Sequence, residues 1–280
     1  MGVRATDVRT RPRWRERPDV LQDAWTIVRG PGPVVAVALH DGHQVRKEVA
    51  SHLAISEEER LREEDLWTGE WVRIAPTRVV VHRSRFEVDL NRPLDEAVYL
   101  CPEQAWDLDV WKGRLPPPEI VQAGRRIHRA FYATLGRLLR EIEARHGRFV
   151  VYDLHAYNHR RGGPGSPAAD ERENPDLNLG TGSMDRGRWA PVVDAFLDAA
   201  SDVVVGGRRL GVGENVRFRG AYLPAWVHRS FPLTGCALAV EVKKVFVDEW
   251  SGEVDLSCLE EVGDALARTV PAVREALVRL

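Results

Sequence analysis

The stretch Arg148-Phe149-Val150-Val151-Tyr152-Asp153-Leu154-His155-Ala156-Tyr157-Asn158 stands near the middle of the chain. Its first half is an apolar run of β-favouring residues, which predicts a buried strand. A carboxylate and an imidazole follow two positions apart, at Asp153 and His155. Because ligands of α/β proteins gather at the carboxyl ends of the strands, we expect His155 to be a metal ligand or a general base.

Further segments on both sides of this stretch alternate between strand and helix patterns. Apolar runs predict strands at residues 34–39, 78–82 and 237–242. Helical spacing predicts helices at residues 116–145, 191–200 and 256–280, the last interrupted near Pro271. This alternation predicts the α/β fold class in a single domain. We divide the chain into an N-terminal extension, residues 1–32, and the main domain, residues 33–280.

The composition is that of an ordinary globular protein, with 280 residues, 44% hydrophobic and 29% charged. The net charge of -2 gives no field that would favour nucleic acid or a membrane surface, and no apolar run is long enough to span a membrane. The three cysteines are widely spaced and odd in number, which favours a reducing compartment. We therefore expect a cytoplasmic protein without nucleic-acid or membrane partners, and the oligomeric state stays open.

Three predicted strand ends carry imidazoles or carboxylates. His40 and His43 follow the strand at residues 34–39, His155 follows the central strand, and Glu241 lies inside the strand at residues 237–242. Together they have the composition of a catalytic zinc site, in which three protein ligands leave the fourth position to water. His40, His43 and His155 would be the ligands. The alternative is that the H-x-x-H spacing arose by chance, since the chain has nine histidines.

Two carboxylates near these histidines each have two possible roles. Glu241 lies in an apolar strand, where an unpaired charge is costly, so something must compensate it. It could take a proton from the attacking water and pass it to the leaving nitrogen, or it could form a structural pair with Lys or Arg. Asp153 could fix the tautomer of His155 from behind, or it could be a capped or ion-paired loop residue.

An arginine-rich segment follows the strand predicted at residues 78–82. It contains Arg83, Arg85, Asp89, Asn91 and Arg92. An Asn-Arg pair can hold a substrate carboxylate, and a further arginine can stabilise an oxyanion. The alternative is a solvated basic loop in which Asp89 pairs with one of the arginines.

Other kinds of active site have no motif in this chain. No G-x-S-x-G element and no phosphate-binding G-x-x-x-x-G-K-[ST] loop occurs. Of the isolated histidines, we expect His128 and His146 to be structural or solvated. His159 and His228 are predicted in loops, where either could line a pocket.

Taken in order, these motifs resemble the N-formylglutamate amidohydrolase family, a branch of the zinc carboxypeptidase-like hydrolases. The resemblance spans roughly residues 33–262. It is carried by His40-Asp41-Gly42, Val88-Asp89-Leu90-Asn91-Arg92, Tyr152-Asp153-Leu154-His155, Pro175-Asp176-Leu177-Asn178-Leu179-Gly180 and Ala239-Val240-Glu241-Val242.

The resemblance implies a mixed, mostly parallel β-sheet flanked by helices. It also implies a zinc-dependent hydrolase that cleaves an N-acyl, formyl-like amide bond in an amino acid or another carboxylate-bearing substrate. The implied roles are His40 and His155 as Zn²⁺ ligands, Glu241 as general base and acid, Asn91 and Arg92 as the clamp for the carboxylate, and Arg83 or Arg85 as the oxyanion-stabilising residue. We assign that last role to Arg85 and substrate binding to Arg83.

The chain departs from the family pattern at three positions. His43 stands where the wider superfamily often has a glutamate ligand, and Asp41 and Ala156 stand where serine is common. Formylglutamate itself therefore need not be the substrate. Two alternatives stay open: a carboxypeptidase-type metallopeptidase that acts on a short peptide, and a relative that binds a ligand without catalysis.

Overall fold

The structure is a computed structural model that describes residues 20–280. Seven strands form one sheet, and two short strands form a separate ribbon. The strands are β1 (Trp25–Val28), β2 (Val34–Ala38), β3 (Thr77–Val81), β4 (Phe149–Tyr157), β5 (Leu177–Gly180), β6 (Val204–Val205), β7 (Arg208–Arg209), β8 (Val212–Glu214) and β9 (Gly235–Lys243).

The large sheet is mixed and mostly parallel, with the strand order β1-β3-β2-β4-β9-β5-β8. Strands β3, β2, β4 and β9 run parallel to one another, whereas β1 and β5 are each antiparallel to the neighbour that joins them to this group. The predicted fold class, a single α/β domain with a mixed sheet, is confirmed. Strand β4 lies at the centre and is buried along its whole length.

Helices cover both faces of the sheet. They are α1 (Lys47–Ala50), α2 (Glu57–Glu63), α3 (Thr68–Trp71), α4 (Pro118–His146), α5 (Ala190–Ser201), α6 (Tyr222–Ser230) and α7 (Leu256–Val278). Apolar residues of α4 and α6 form one core with the sheet, and those of α5 and α7 form another on the opposite face. Within residues 20–280, no helix combines the length and apolar character needed to cross a membrane.

The prediction that the last helix is interrupted near Pro271 was wrong. Helix α7 continues through this residue to Val278. A proline inside a helix removes the hydrogen bond to the carbonyl four residues earlier, which here belongs to Ala267. Both residues lie on the exposed side, where water can reach that carbonyl, while Val273 and Leu277 keep the far end packed on the core.

The boundary of the predicted N-terminal extension falls within the fold. Residues 1–19 lie outside the described part of the chain. Strand β1 belongs to residues 1–32 by sequence, yet it pairs with β3 along all four of its residues. The last residues of the predicted extension therefore form the edge of the main sheet.

Candidate metal centre and active site

Three buried side chains converge at the carboxyl edge of the sheet: His40, Asp65 and His155. One ligand atom from each lies within 4.8 Å of the other two. Asp65 Oδ2 is 2.9 Å from His155 Nδ1 and 3.5 Å from His40 Nδ1. The cluster has the donors of a metal site, two imidazoles and one carboxylate.

The sheet brings the two imidazoles together. His40 follows β2, and His155 lies near the end of β4, so these two parallel neighbours end at the same edge. The strand is longer than the sequence predicted, because Asp153 and His155 are part of β4 rather than of a loop after it. Residues two apart on a strand face the same side of the sheet, so the side chains of Asp153 and His155 lie next to each other.

Asp65 comes from the connection between α2 and α3, and several contacts fix it. A capping box between Ser56 and Glu59 starts α2. At the other end, Asp65 N donates to His40 O at 3.0 Å. Lys244 Nζ, just beyond β9, donates to the carbonyls of Arg62 at 2.6 Å and Glu64 at 2.9 Å. These contacts to His40 and Lys244 fix the backbone at and before Asp65, and this holds its carboxylate in the cluster.

Each imidazole is oriented by a second carboxylate. His40 Nε2 lies 2.8 Å from Asp89 Oδ1, and His155 Nε2 lies 2.9 Å from Asp153 Oδ1. Histidines that bind metals usually donate their other ring N–H to such a group, which fixes the tautomer and strengthens the ligand. Both rings thus turn Nδ1 towards Asp65.

The carboxylates of Asp65 and Asp89 are ionised at neutral pH. Burial alone would raise the pKa of Asp65, but its contacts with His155 and His40 hold that pKa well below the usual range. Burial likewise opposes ionisation of Asp89, yet the charges of His40 and Arg85 keep its pKa well below normal. Asp89 also accepts from Tyr99 Oη at 2.6 Å.

The residues present fit a metal ion. His40 Nδ1 is buried and makes no hydrogen bond within the described residues, although it faces Asp65 and His155. A buried imidazole nitrogen without a partner is costly, and a cation between these three groups would satisfy it. A set of three N and O ligands with further positions open is the composition of catalytic zinc sites.

His43 is not part of this cluster. Its side chain is exposed, and its backbone carbonyl accepts a hydrogen bond from Arg60 Nη1 at 2.7 Å. The structure brings Asp65 beside His40 and His155 instead. No local sequence pattern marks Asp65, because it does not stand at a strand end but closes an acidic run after a short helix, where a solvated segment is expected.

A cavity of about 480 Å³ opens above the cluster. Glu241 lines it, and its backbone lies opposite His155 in the β4–β9 pairing. Burial raises the pKa of Glu241 to about 7, and the negative charges of Asp65 and Asp153 add to the effect of burial. A carboxyl group with this pKa can both accept and donate a proton near neutral pH.

Two of the predicted arginines reach the cavity, and one does not. Arg85 and Arg92 line it together with Asn91. Asn91 Oδ1 accepts from Leu223 N at 2.9 Å, and its amide nitrogen lies 3.2 Å from His155 Nε2. Arg83 instead points away from the cavity, where its Nη2 donates to the carbonyl of Gln22 at 2.8 Å.

The chain is similar to known proteins in its sequence profile and in its fold. The sequence profile described as N-formylglutamate amidohydrolase matches residues 32–246. The crystal structure of an N-formylglutamate amidohydrolase from Ralstonia eutropha JMP134 superposes with a TM-score of 0.71 and 16% identity, covering 92% of this chain and 99% of that one. A gene product from Agrobacterium tumefaciens superposes with a TM-score of 0.64 and 14% identity, covering 90% of this chain and 96% of that one.

These identities are low, so the two solved structures establish a shared fold and no more. Among curated protein sequences, none matches this chain significantly. The match to the family profile, in contrast, extends over most of the chain and includes every strand of the large sheet except β1. The chain belongs to the N-formylglutamate amidohydrolase family.

Proposed function

We propose that the protein is a zinc-dependent hydrolase that cleaves an N-acyl, formyl-like amide bond in a small substrate bearing a carboxylate. Family membership supports an amidohydrolase. The observation that carries the proposal is the convergence of His40, Asp65 and His155 beneath a cavity that also contains Glu241. In the proposed ligand set Asp65 takes the place of His43.

His40 Nδ1, Asp65 Oδ2 and His155 Nδ1 would hold the zinc ion. When bound, zinc would supply a Lewis acid and lower the pKa of water towards about 7. Glu241 is the proton carrier in this proposal: it takes a proton from the attacking water and delivers it to the leaving nitrogen. Asp89 and Asp153 keep the two imidazoles oriented throughout, because both are buried and bonded to Nε2.

The polar side of the cavity would hold the substrate carboxylate. The Arg92 side chain is 29% exposed, and its ion pairs with Asp89 and Glu96 are long, at 3.4 and 3.8 Å. Its guanidinium group can therefore also bind the carboxylate of a substrate, together with the amide of Asn91. This contact would orient the amide bond over the metal ligands.

In this proposal Arg85 stabilises the charge on the acyl oxygen. Its Nη1 lies 3.4 Å from Asp65 Oδ1, and its Nη2 lies 3.2 Å from Asp89 Oδ2. The guanidinium group is thus adjacent to the proposed metal ligands and held rigidly. A preorganised cation of this kind is effective where negative charge develops in the transition state.

We place the reaction in the cytoplasm, as the cysteine pattern of the sequence suggests.

The test is hydrolysis of a panel of N-acyl amino acids by zinc-loaded protein, with release of the free amine as the readout. Glu241→Gln should lower kcat by about 10²–10⁴-fold, since it removes the proton carrier, and leave the zinc content unchanged. The control Glu253→Gln, at an exposed position, should keep full activity.

Two outcomes would contradict the proposal. Hydrolysis of short peptides with no action on N-acyl amino acids would indicate a metallopeptidase. Bound zinc without turnover of any amide would indicate a ligand-binding relative of the amidohydrolases.

A further inference from the structure

Two chemically different groups of side chains line the cavity above the metal ligands. One group is polar and includes Asn91 and Arg92. The other consists of Tyr157 and Phe218, whose ring centroids are 5.1 Å apart in an edge-to-face arrangement. We refer to these two rings as the aromatic wall.

Tyr157 presents a ring rather than a hydroxyl group to the cavity. It follows His155 by two residues on β4, so its side chain faces the same side of the sheet, one step further out. Its hydroxyl group donates to the carbonyl of Pro175, and the residue is almost fully buried. The polar end of this side chain is therefore engaged, and the ring is left to contact a ligand.

Phe218 lies on a connection that is fastened to β5. Asn178 Oδ1 accepts from the backbone N–H of Arg217 at 2.8 Å and of Phe218 at 3.3 Å, and Asn178 Nδ2 donates to Phe218 O at 2.8 Å. At Gly180 an added Cβ would lie only 2.4 Å from Gly220 N, so the connection contacts the strand backbone directly. The aromatic wall is consequently formed before any ligand binds.

The Arg217 guanidinium covers the outside of this wall. It lies 5.4 Å from the ring centroid of Phe218 and 5.7 Å from that of Tyr157. The side chain of Phe218 is half-buried, while Arg217 is exposed. The arginine thus shields the two rings from solvent, which favours their contact with an apolar group inside the cavity.

We propose that the aromatic wall is a subsite for the acyl group, and that the preferred substrates carry a bulky, ring-bearing acyl group such as benzoyl. This inference rests on the amide hydrolysis of the proposed function, and it replaces the formyl-like acyl group of that proposal with a larger one. The carboxylate belongs to the amine part of the substrate and is held at Asn91 and Arg92. The acyl part lies across the amide bond from this carboxylate, and in this proposal it contacts Tyr157 and Phe218.

The size and composition of the cavity support this choice of substrate. A formyl group is the smallest acyl group and would leave both rings without contact in a cavity of about 480 Å³. A ligand pocket typically buries most of the surface of its ligand, and aromatic rings provide much of the contact. An aromatic acyl group would fill the space and complete an edge-to-face set with the two rings.

The test compares N-formyl-, N-acetyl- and N-benzoylglutamate, which share one amine part and differ in the acyl group. We expect the largest kcat/KM for the benzoyl compound. Phe218→Ala should lower kcat/KM for this compound by about 30-fold, the effect of losing a buried phenyl contact, and change the formyl and acetyl values less than about twofold. The control Val216→Ala, at an exposed position of the same connection, should behave as wild type.

Further measurements separate this inference from the proposed function. Dissociation constants measured by calorimetry in a Glu241→Gln background, where no substrate is consumed, should show tighter binding of N-benzoyl- than of N-acetylglutamate, with the difference abolished by Phe218→Ala. If no amide is hydrolysed but this binding pattern appears, the function fails and the subsite stands. If amides are hydrolysed but Phe218→Ala lowers kcat/KM equally for all acyl groups, the assignment of the acyl subsite is wrong. It is also wrong if the rate depends only on the side chain of the amine part of the substrate.

Discussion

Two kinds of buried histidine lie against the sheet of this protein. His228, on α6, has its ring between a backbone N–H and a hydroxyl group: Ala237 N is 3.0 Å from Nε2, and Ser183 Oγ is 2.9 Å from Nδ1. Burial lowers its pKa to about 4. His40 and His155, at the carboxyl edge, each contact a carboxylate through Nε2 and face another through Nδ1.

The difference shows that burial alone does not indicate a functional histidine. At His228 burial favours the neutral ring, which serves as a structural hydrogen-bonding group. At His155 burial also opposes the charged form, but the charge and hydrogen bond of Asp153, with the hydrogen bond to Asp65, raise the pKa well above the usual value. A carboxylate in contact with Nε2 distinguishes a histidine ring that is oriented to bind a cation from a ring that only packs against the sheet.

Removing the carboxylate behind His40 should have the largest effect. Asp89 is buried and contacts His40, Arg85 and Tyr99, so Asp89→Ala removes one buried partner from each of these groups. We expect the free energy of unfolding to fall by about 3–5 kcal/mol, as for the breaking of a buried ion pair. Denaturant unfolding provides the measurement. Asp95→Ala, at an exposed position of the same segment, is the control, and an equal loss in both variants would contradict the role given to Asp89.

The pH dependence of stability should show the structural histidine. The folded-state pKa of His228, about 4, lies below the unfolded value of about 6.5, so the unfolded chain takes up a proton first as the pH falls. The contribution is fully present above about pH 6.5 and is lost towards pH 4, a loss of about 3 kcal/mol.

In His228→Gln this part of the acid destabilisation should disappear, because an amide can replace the two hydrogen bonds without titrating. Urea unfolding at a series of pH values between about 7 and 4 provides the comparison. His52→Gln, at an exposed position, should retain the wild-type slope. The same slope in His228→Gln and wild type would show that the ring does not remain neutral as the structure requires.

Replacement of the carboxylate behind His155 should have the smallest of these effects. Asp153→Asn keeps the shape and can still accept from His155 Nε2, but it removes the charge that strengthens the ring as a ligand. We expect zinc affinity to fall about 10–100-fold, with a smaller change in unfolding free energy than in Asp89→Ala. Competition with a chelator measures the affinity. A variant with wild-type affinity would mean that Asp153 does not act through the ring.

The central part of the fold could be predicted from sequence because its signals are local. The apolar runs of β2, β3, β4 and β9 and the spacing of α4 and α5 each specify one element, and the structure has all of them. Strands β5 and β8 have only four and three residues, so neither contains an apolar run long enough to predict a strand. Their pairing depends on neighbouring strands, since β5 pairs with β9 and β8 pairs with β5.

The candidate site was predictable only where a strand carries the residue. His40, His155 and Glu241 lie on or just after apolar strands, so the sheet brings them together. Asp65 depends on contacts distant in sequence, above all the hydrogen bonds from Lys244 to the carbonyls of Arg62 and Glu64. No local pattern records such contacts. The H-x-x-H spacing suggested His43 instead, because spacing alone cannot show that a side chain turns to solvent.

The metal content of two matched variants tests the central claim most directly. After dialysis against chelator-treated buffer and zinc loading, wild type and His43→Ala should each retain about one zinc ion per chain by mass spectrometry of the metal, as a single catalytic site requires. Asp65→Ala should retain far less, because it removes the carboxylate between the two imidazoles. Full zinc content in Asp65→Ala together with loss in His43→Ala would contradict the site described by His40, Asp65 and His155.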